Sequence, residues 1–109
     1  MALLTKEIEE KLQEQSYLGS EIDQQDVICK VYNAFGPGCW YLINQDPEEG
    51  DYLWCIASFD GKLWELGCVL KSELESVKVG DQPLIQLDLN FQQMNAAEAF
   101  NRLYNGEQL

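Results

Sequence analysis

Two runs of alternating apolar residues flank an Asp-Gly pair near the middle of the chain. The first is Y-L-W-C-I-A-S-F at residues 52–59, and the second is K-L-W-E-L-G-C-V-L at residues 62–70, with Asp60-Gly61 between them. Asp-Gly between alternating runs predicts a hairpin, because both central positions of a type I′ turn need positive φ. A two-residue turn sets Phe59 opposite Lys62. Ala57 then meets Trp64, Cys55 meets Leu66, and Leu53 meets Cys68 on one apolar face. The other face carries Tyr52, Trp54, Ile56 and Ser58 against Val69, Gly67, Glu65 and Leu63, with Trp54 lying over Gly67.

The same reading extends along the chain. Leu4, Ile8 and Leu12 recur at i, i+4, i+8 behind Thr5, a good N-cap residue, and predict a helix to about residue 15. Residues 27–34 and 39–45 predict two strands joined by the Phe35-Gly36-Pro37-Gly38 turn. The acidic run D-P-E-E-G-D at residues 46–51 leads into the central hairpin. Ser72 and Glu75 have capping-box spacing and predict a short helix. Residues 84–91 place Ile85, Leu87 and Leu89 on one side and predict a strand with one wet face. Asn95, with Glu98 three residues on, predicts the start of a helix that Gly106 ends. These elements make a single α+β domain over residues 1–109. Its sheet is mainly antiparallel and five-stranded, with an N-terminal, a short and a C-terminal helix covering one face.

Length and composition set outer bounds. A chain of 109 residues that is 46% hydrophobic can bury a core without staples. No stretch approaches the roughly 20 apolar residues of a membrane span, and no basic-then-apolar leader opens the sequence. The expected location is therefore cytoplasmic, with no membrane partner. Cys29, Cys39, Cys55 and Cys68 fall in predicted strands without any C-x-x-C pair, and read as buried small hydrophobes in a reducing compartment. A zinc site would need all four thiolates to converge without a histidine. No cofactor is expected.

Charge changes the picture most. There are 19 acidic and 7 basic residues, a net charge of −12, and no histidine. Without histidine, Ser-His and Cys-His catalysis are excluded. The 46–51 loop lacks the D-x-D-x-D-G pattern of a calcium loop, and capping accounts for Glu75 without acid–base chemistry. The reading is a non-enzymatic protein. Direct nucleic-acid binding is disfavoured because no basic run exists to neutralise phosphates. Spread over a surface of roughly 6,200 Å² the net charge is too dilute to imitate DNA, but clustered on half of it the charge begins to. The acids that could form one or two negative surfaces are Glu7, Glu9, Glu10, Glu14, Glu21, Asp23, Asp26, Asp46, Glu48, Glu49 and Asp51. The aromatic set Trp40, Tyr41, Tyr52 and Trp54 is either core or an apolar anchor beside them. The bland alternative is acidity that serves only solubility.

Five motifs in order carry a resemblance: L-L-T-K-E-I at residues 3–8, the Trp40-Tyr41 pair, the Gly50-Asp51 pair, S-E-L-E-S-V at residues 72–77, and I-x-x-D-L at residues 85–89. Over about residues 3–91 the chain resembles a family of small bacterial proteins classed only as a domain of unknown function, which recur on plasmids, integrative elements and phages. The resemblance supplies no catalytic residues. It implies a mobile-element context. Charge and context together lead to one expectation: an acidic interaction protein that inhibits or modulates a nucleic-acid-binding defence system, of anti-CRISPR or anti-restriction type, by binding a basic protein surface. Glu9, Glu10, Glu14, Glu21, Asp23, Asp46, Glu48, Glu49, Asp51, Tyr52 and Trp54 are the candidate contact residues. The alternative is an accessory binding module or homodimer that uses its aromatic sheet face.

Overall fold

The computed structural model describes residues 3–109. Helix α1 (Lys6–Glu14) starts where Thr5 accepts the Ile8 N–H, as its sequence predicts. Two single 3-10 turns follow, at Ser16–Leu18 and Ile22–Gln24. The first predicted strand is broken in two, β1 (Asp26–Val27) and β2 (Cys29–Asn33). Then come β3 (Cys39–Gln45), β4 (Tyr52–Ser58), β5 (Glu65–Leu70) and α2 (Lys71–Ser76). The chain closes with β6 (Lys78–Val79), β7 (Gln82–Pro83), β8 (Ile85–Leu87), β9 (Met94–Asn95) and α3 (Ala96–Tyr104). Five strands form one fully antiparallel sheet in the order β5-β4-β3-β2-β8, so the fold is the expected α+β type. Strands β1 and β9 form a separate two-stranded ribbon that ties α3 to the start of β2.

The helices cover both faces of the sheet, not one. Leu12 of α1 and Leu74 of α2 pack on Val31, Leu42, Leu53 and Cys55 on one face. Ala96, Ala99 and Leu103 of α3 pack on Tyr41, Ile43 and Ile56 on the other. A sheet buried on both sides needs apolar residues at consecutive positions. Strand β3 has them: Trp40 to Ile43 are all buried.

The central hairpin forms with a register one residue away from the expected one. Cys55 pairs with Gly67, Trp54 with Cys68, and Ala57 with Glu65. A one-residue slip turns every side chain of β5 to the opposite face. Trp64 and Leu66 therefore pack with Ile56 in the α3 core, and Trp54 does not cover Gly67. The cause lies in the turn. Only Gly61 has positive φ (77°), so a type I′ turn is not made. Instead the Asp60 carboxylate accepts the N–H groups of Lys62 (2.8 Å) and Leu63 (3.0 Å) and the Ser58 hydroxyl (3.0 Å). Those bonds organise a wider connection over residues 59–64 and hold the Asp60 carboxyl down at about 2.

Two smaller expectations also change. Ser72 and Glu75 do not form a capping box. The α2 N-terminus is capped from a distance by Asp51, which accepts the Ser72 N–H (2.7 Å) and hydroxyl (2.6 Å), while Glu75 accepts the Leu3 N–H (2.9 Å). Strand β8 ends at Leu87, because Asp88 accepts the Asn90 N–H and turns the chain; Leu89 is left 87% exposed. At α3 the Asn95 side chain accepts the Glu98 N–H (3.0 Å), as predicted.

Candidate functional site

In an antiparallel sheet the loops collect at two ends. At one end β2 and β4 begin and β3 and β5 finish. Residues 16–26, the 46–51 loop and the first turn of α2 meet there. They carry Glu21, Asp23, Asp26, Asp46, Glu48, Glu49, Asp51 and Glu73, with Lys71 the basic residue among them. The turns at the opposite end, residues 34–38 and 59–64, carry only Asp60 and Lys62, and the segment that enters β8 beside Ala34 adds the balancing charges Lys78 and Asp81, with Glu107 nearby. The fold thus gathers most of the candidate acids at one end of the sheet.

Some of these acids hold the fold. Glu9 accepts from the Lys71 ammonium (2.7 Å) and from the Gln45 amide (2.9 Å). Partial burial works against its ionisation, but the Lys71 and Gln45 hydrogen bonds outweigh that and leave the carboxyl below its usual range. The same pairing raises Lys71. Gln45, 1% exposed, also accepts from Gln13 (2.9 Å) and donates to the Gly50 carbonyl (2.5 Å), so it locks α1 to the acidic loop. Asp46 accepts the N–H groups of Glu48 (2.9 Å) and Glu49 (3.2 Å) and shapes that loop. The Ser72 hydroxyl and N–H hold Asp51 below its ordinary value. Glu10, Glu14, Glu21, Asp23, Glu48 and Glu49 are exposed, and none makes an ion pair among the described residues.

Beside these acids lies a depression of about 350 Å³. Tyr52 and Trp54 reach it from β4, Asn44, Asp46 and Pro47 from the end of β3, and Ser16 and Tyr17 from the turn after α1. A β-bulge positions the floor. Register shifts between Leu42 and Asn44, so Ile43 is the extra residue. Ile43 packs toward α3, Asn44 pairs with Trp54, and Gln45 points toward α1. Without the bulge Asn44 would point to the α1 face. Tyr17, 83% exposed, was missed by the sequence reading; its polar surroundings in 16–25 gave it no periodic partner.

A larger cavity, about 860 Å³, lies on the α3 face and contains none of the candidate contact residues. Lys30 donates to the Leu109 main-chain oxygen (2.7 Å) and lies 3.7 Å from Asp88 and 5.5 Å from the centre of the Tyr41 ring. Tyr41 donates to the same Leu109 oxygen (3.2 Å), and its ring packs on Trp64 and Phe91. Lys30 and Asp88 face each other and Glu107 accepts from Arg102, while Lys62 makes no ion pair among the described residues. Burial raises the neighbouring Cys39 thiol, which disfavours its thiolate. Burial also pushes Cys29 and Cys55 up to about 12. All four cysteines are free thiols.

Among the described residues no helix is long and apolar enough to cross a membrane. The sequence profile of the family described as proteins of unknown function, DUF2958, matches residues 3–105, and the chain belongs to that family. No curated protein and no solved structure matches the chain.

Proposed function

We propose that this DUF2958 protein is a non-enzymatic, cytoplasmic interaction protein that engages a basic protein surface through the acidic end of its sheet. The observation that carries the reading is the asymmetry between the two ends: the same four strands are joined by carboxylate-rich segments at one end and by nearly uncharged turns at the other. A one-sided negative field steers association with a positive surface and suppresses contact with nucleic acid itself. Glu10, Glu14, Glu21, Asp23, Glu48 and Glu49 supply exposed charge; Glu9, Asp46 and Asp51 hold the segments that present it. The partner class is a nucleic-acid-binding defence complex such as a CRISPR or restriction effector, which makes the protein an inhibitor of anti-CRISPR or anti-restriction type met in a phage or other mobile-element setting, and the mode of action is occlusion of the partner's basic groove.

A second reading has its own support. Strand β5 is an edge of the sheet, and a shallow apolar groove beside it, about 310 Å³, is open over Gly67. An open edge favours pairing with a second copy. Salt separates the two. Tagged protein is used to capture partners from nuclease-treated bacterial lysate and eluted on a salt gradient. Release of a nucleic-acid-handling protein at moderate salt, lost with Glu48→Lys/Glu49→Lys, supports the acidic surface. Recovery of the bait alone, with a salt-insensitive dimer in solution, overturns it in favour of the edge-paired dimer.

A further inference from the structure

We infer that the depression beside the acidic loop is a socket for one arginine side chain of the partner, an inference that rests on the acidic-surface reading and names its anchor. Three aromatic residues from two elements line it: Tyr17 from the turn after α1, and Tyr52 and Trp54 from β4. Two of them are open to water, Tyr17 at 83% and Tyr52 at 49% exposure. Exposed aromatic faces around a recess attract a cation through the ring quadrupole. No Lys or Arg of the chain lines the recess to fill that role.

The floor adds an open acceptor. Asn44 is 1% exposed, and its amide nitrogen donates to the Gly19 carbonyl (2.9 Å) and to Gln25 Oε1 (2.9 Å). These two bonds fix the side-chain orientation. The Oδ1 atom accepts no hydrogen bond from the described residues, and Asn44 lines the recess. At the rim, Asp46 uses Oδ1 for the Glu48 and Glu49 N–H groups and leaves Oδ2 open. The recess therefore offers flat π faces, a neutral acceptor at its base and a carboxylate at its mouth. A guanidinium matches all three: it is planar, stacks on rings, and carries five in-plane donors. An ammonium is a compact, strongly hydrated point charge and uses the faces less well. A volume of about 350 Å³ suits a single side chain more than a cofactor.

The test titrates the whole protein with two blocked hexapeptides of alternating serine and arginine, or serine and lysine, followed by the Trp54 indole N–H and the Asn44 side-chain amide in NMR spectra. The arginine peptide is expected to bind at least ~5-fold tighter than the lysine peptide. Tyr17→Ala, at an exposed position, is expected to abolish that preference, and Tyr17→Phe to keep it. Equal affinity for both peptides, unchanged by Tyr17→Ala but lowered by Glu48→Lys/Glu49→Lys, overturns the socket and leaves the acidic surface standing. No binding of either peptide at low salt overturns both.

Discussion

The two ends of the sheet are closed by different chemistry although the same strands run between them. At the acidic end, long polar side chains tie separate segments together: Gln45 joins α1 to the 46–51 loop, and Asp51 caps α2. At the other end the connections are local. Asp60 folds its own loop, and Phe35, Phe59 and Leu63 stand 70–80% exposed. The difference teaches where charge is tolerated. Carboxylates can be crowded at one end because several of them are engaged by donors, which offsets part of their mutual repulsion. The rest project outward and give that end its field.

Breaking the polar joint should produce the largest effect. Gln45→Leu removes the hydrogen bonds to Gln13, Glu9 and Gly50 and strands their partners; a loss of about 3 kcal/mol in chemical denaturation is expected. Next comes the outward charge. Glu48→Lys/Glu49→Lys should leave stability within about 0.5 kcal/mol yet weaken binding to a basic peptide about tenfold at low salt, checked by calorimetry. A change in melting temperature as large as the change in affinity would show that these residues serve the fold.

The neutral end sharpens the contrast. Phe59→Ala removes an edge contact with Trp40, whose ring centroid lies 6.1 Å away, and should cost about 0.5–1 kcal/mol without altering peptide affinity. Weakened binding there would place the partner at the wrong end. The smallest effect is confined to acid. The carboxyl of Asp60 falls from 3.8 to about 2 on folding. A depressed folded value stabilises above the unfolded value and is lost as pH falls through the folded one. Melting temperature should therefore fall more steeply between about pH 4 and about pH 2 in the parent than in Asp60→Asn. Parallel acid limbs would show that the Asp60 hydrogen bonds do not persist in solution.

Local signals were legible where the decisive bond is short-range. Thr5 to Ile8 and Asn95 to Glu98 are bonds between residues three apart, and both helix starts followed from the sequence. The Asp60-Gly61 turn was legible as a turn but not in its length, because nothing in the alternation says that the carboxylate will serve three donors. The site was legible in parts. The acids of the 46–51 loop and Tyr52 and Trp54 were named, but Tyr17 and Asn44, which complete the depression, depend on the bulge at Ile43 and on the path of residues 16–25.

What the sequence by itself determined is the net charge, the absence of histidine, the α+β order of elements and the N-caps of α1 and α3. Each depends on composition or on neighbours within a few positions. Only the tertiary structure decided that the helices take both faces, that β5 pairs one residue out of the simplest register, and that the acids meet at one end. A strand presents two faces of similar apolarity here, so burial alone does not choose between registers. The register is set by the Asp60 turn, and the gathering of α1, α2 and the acidic loop by hydrogen bonds between residues far apart in the chain, such as Asp51 with Ser72 and Glu9 with Lys71, which exist only once the chain has closed.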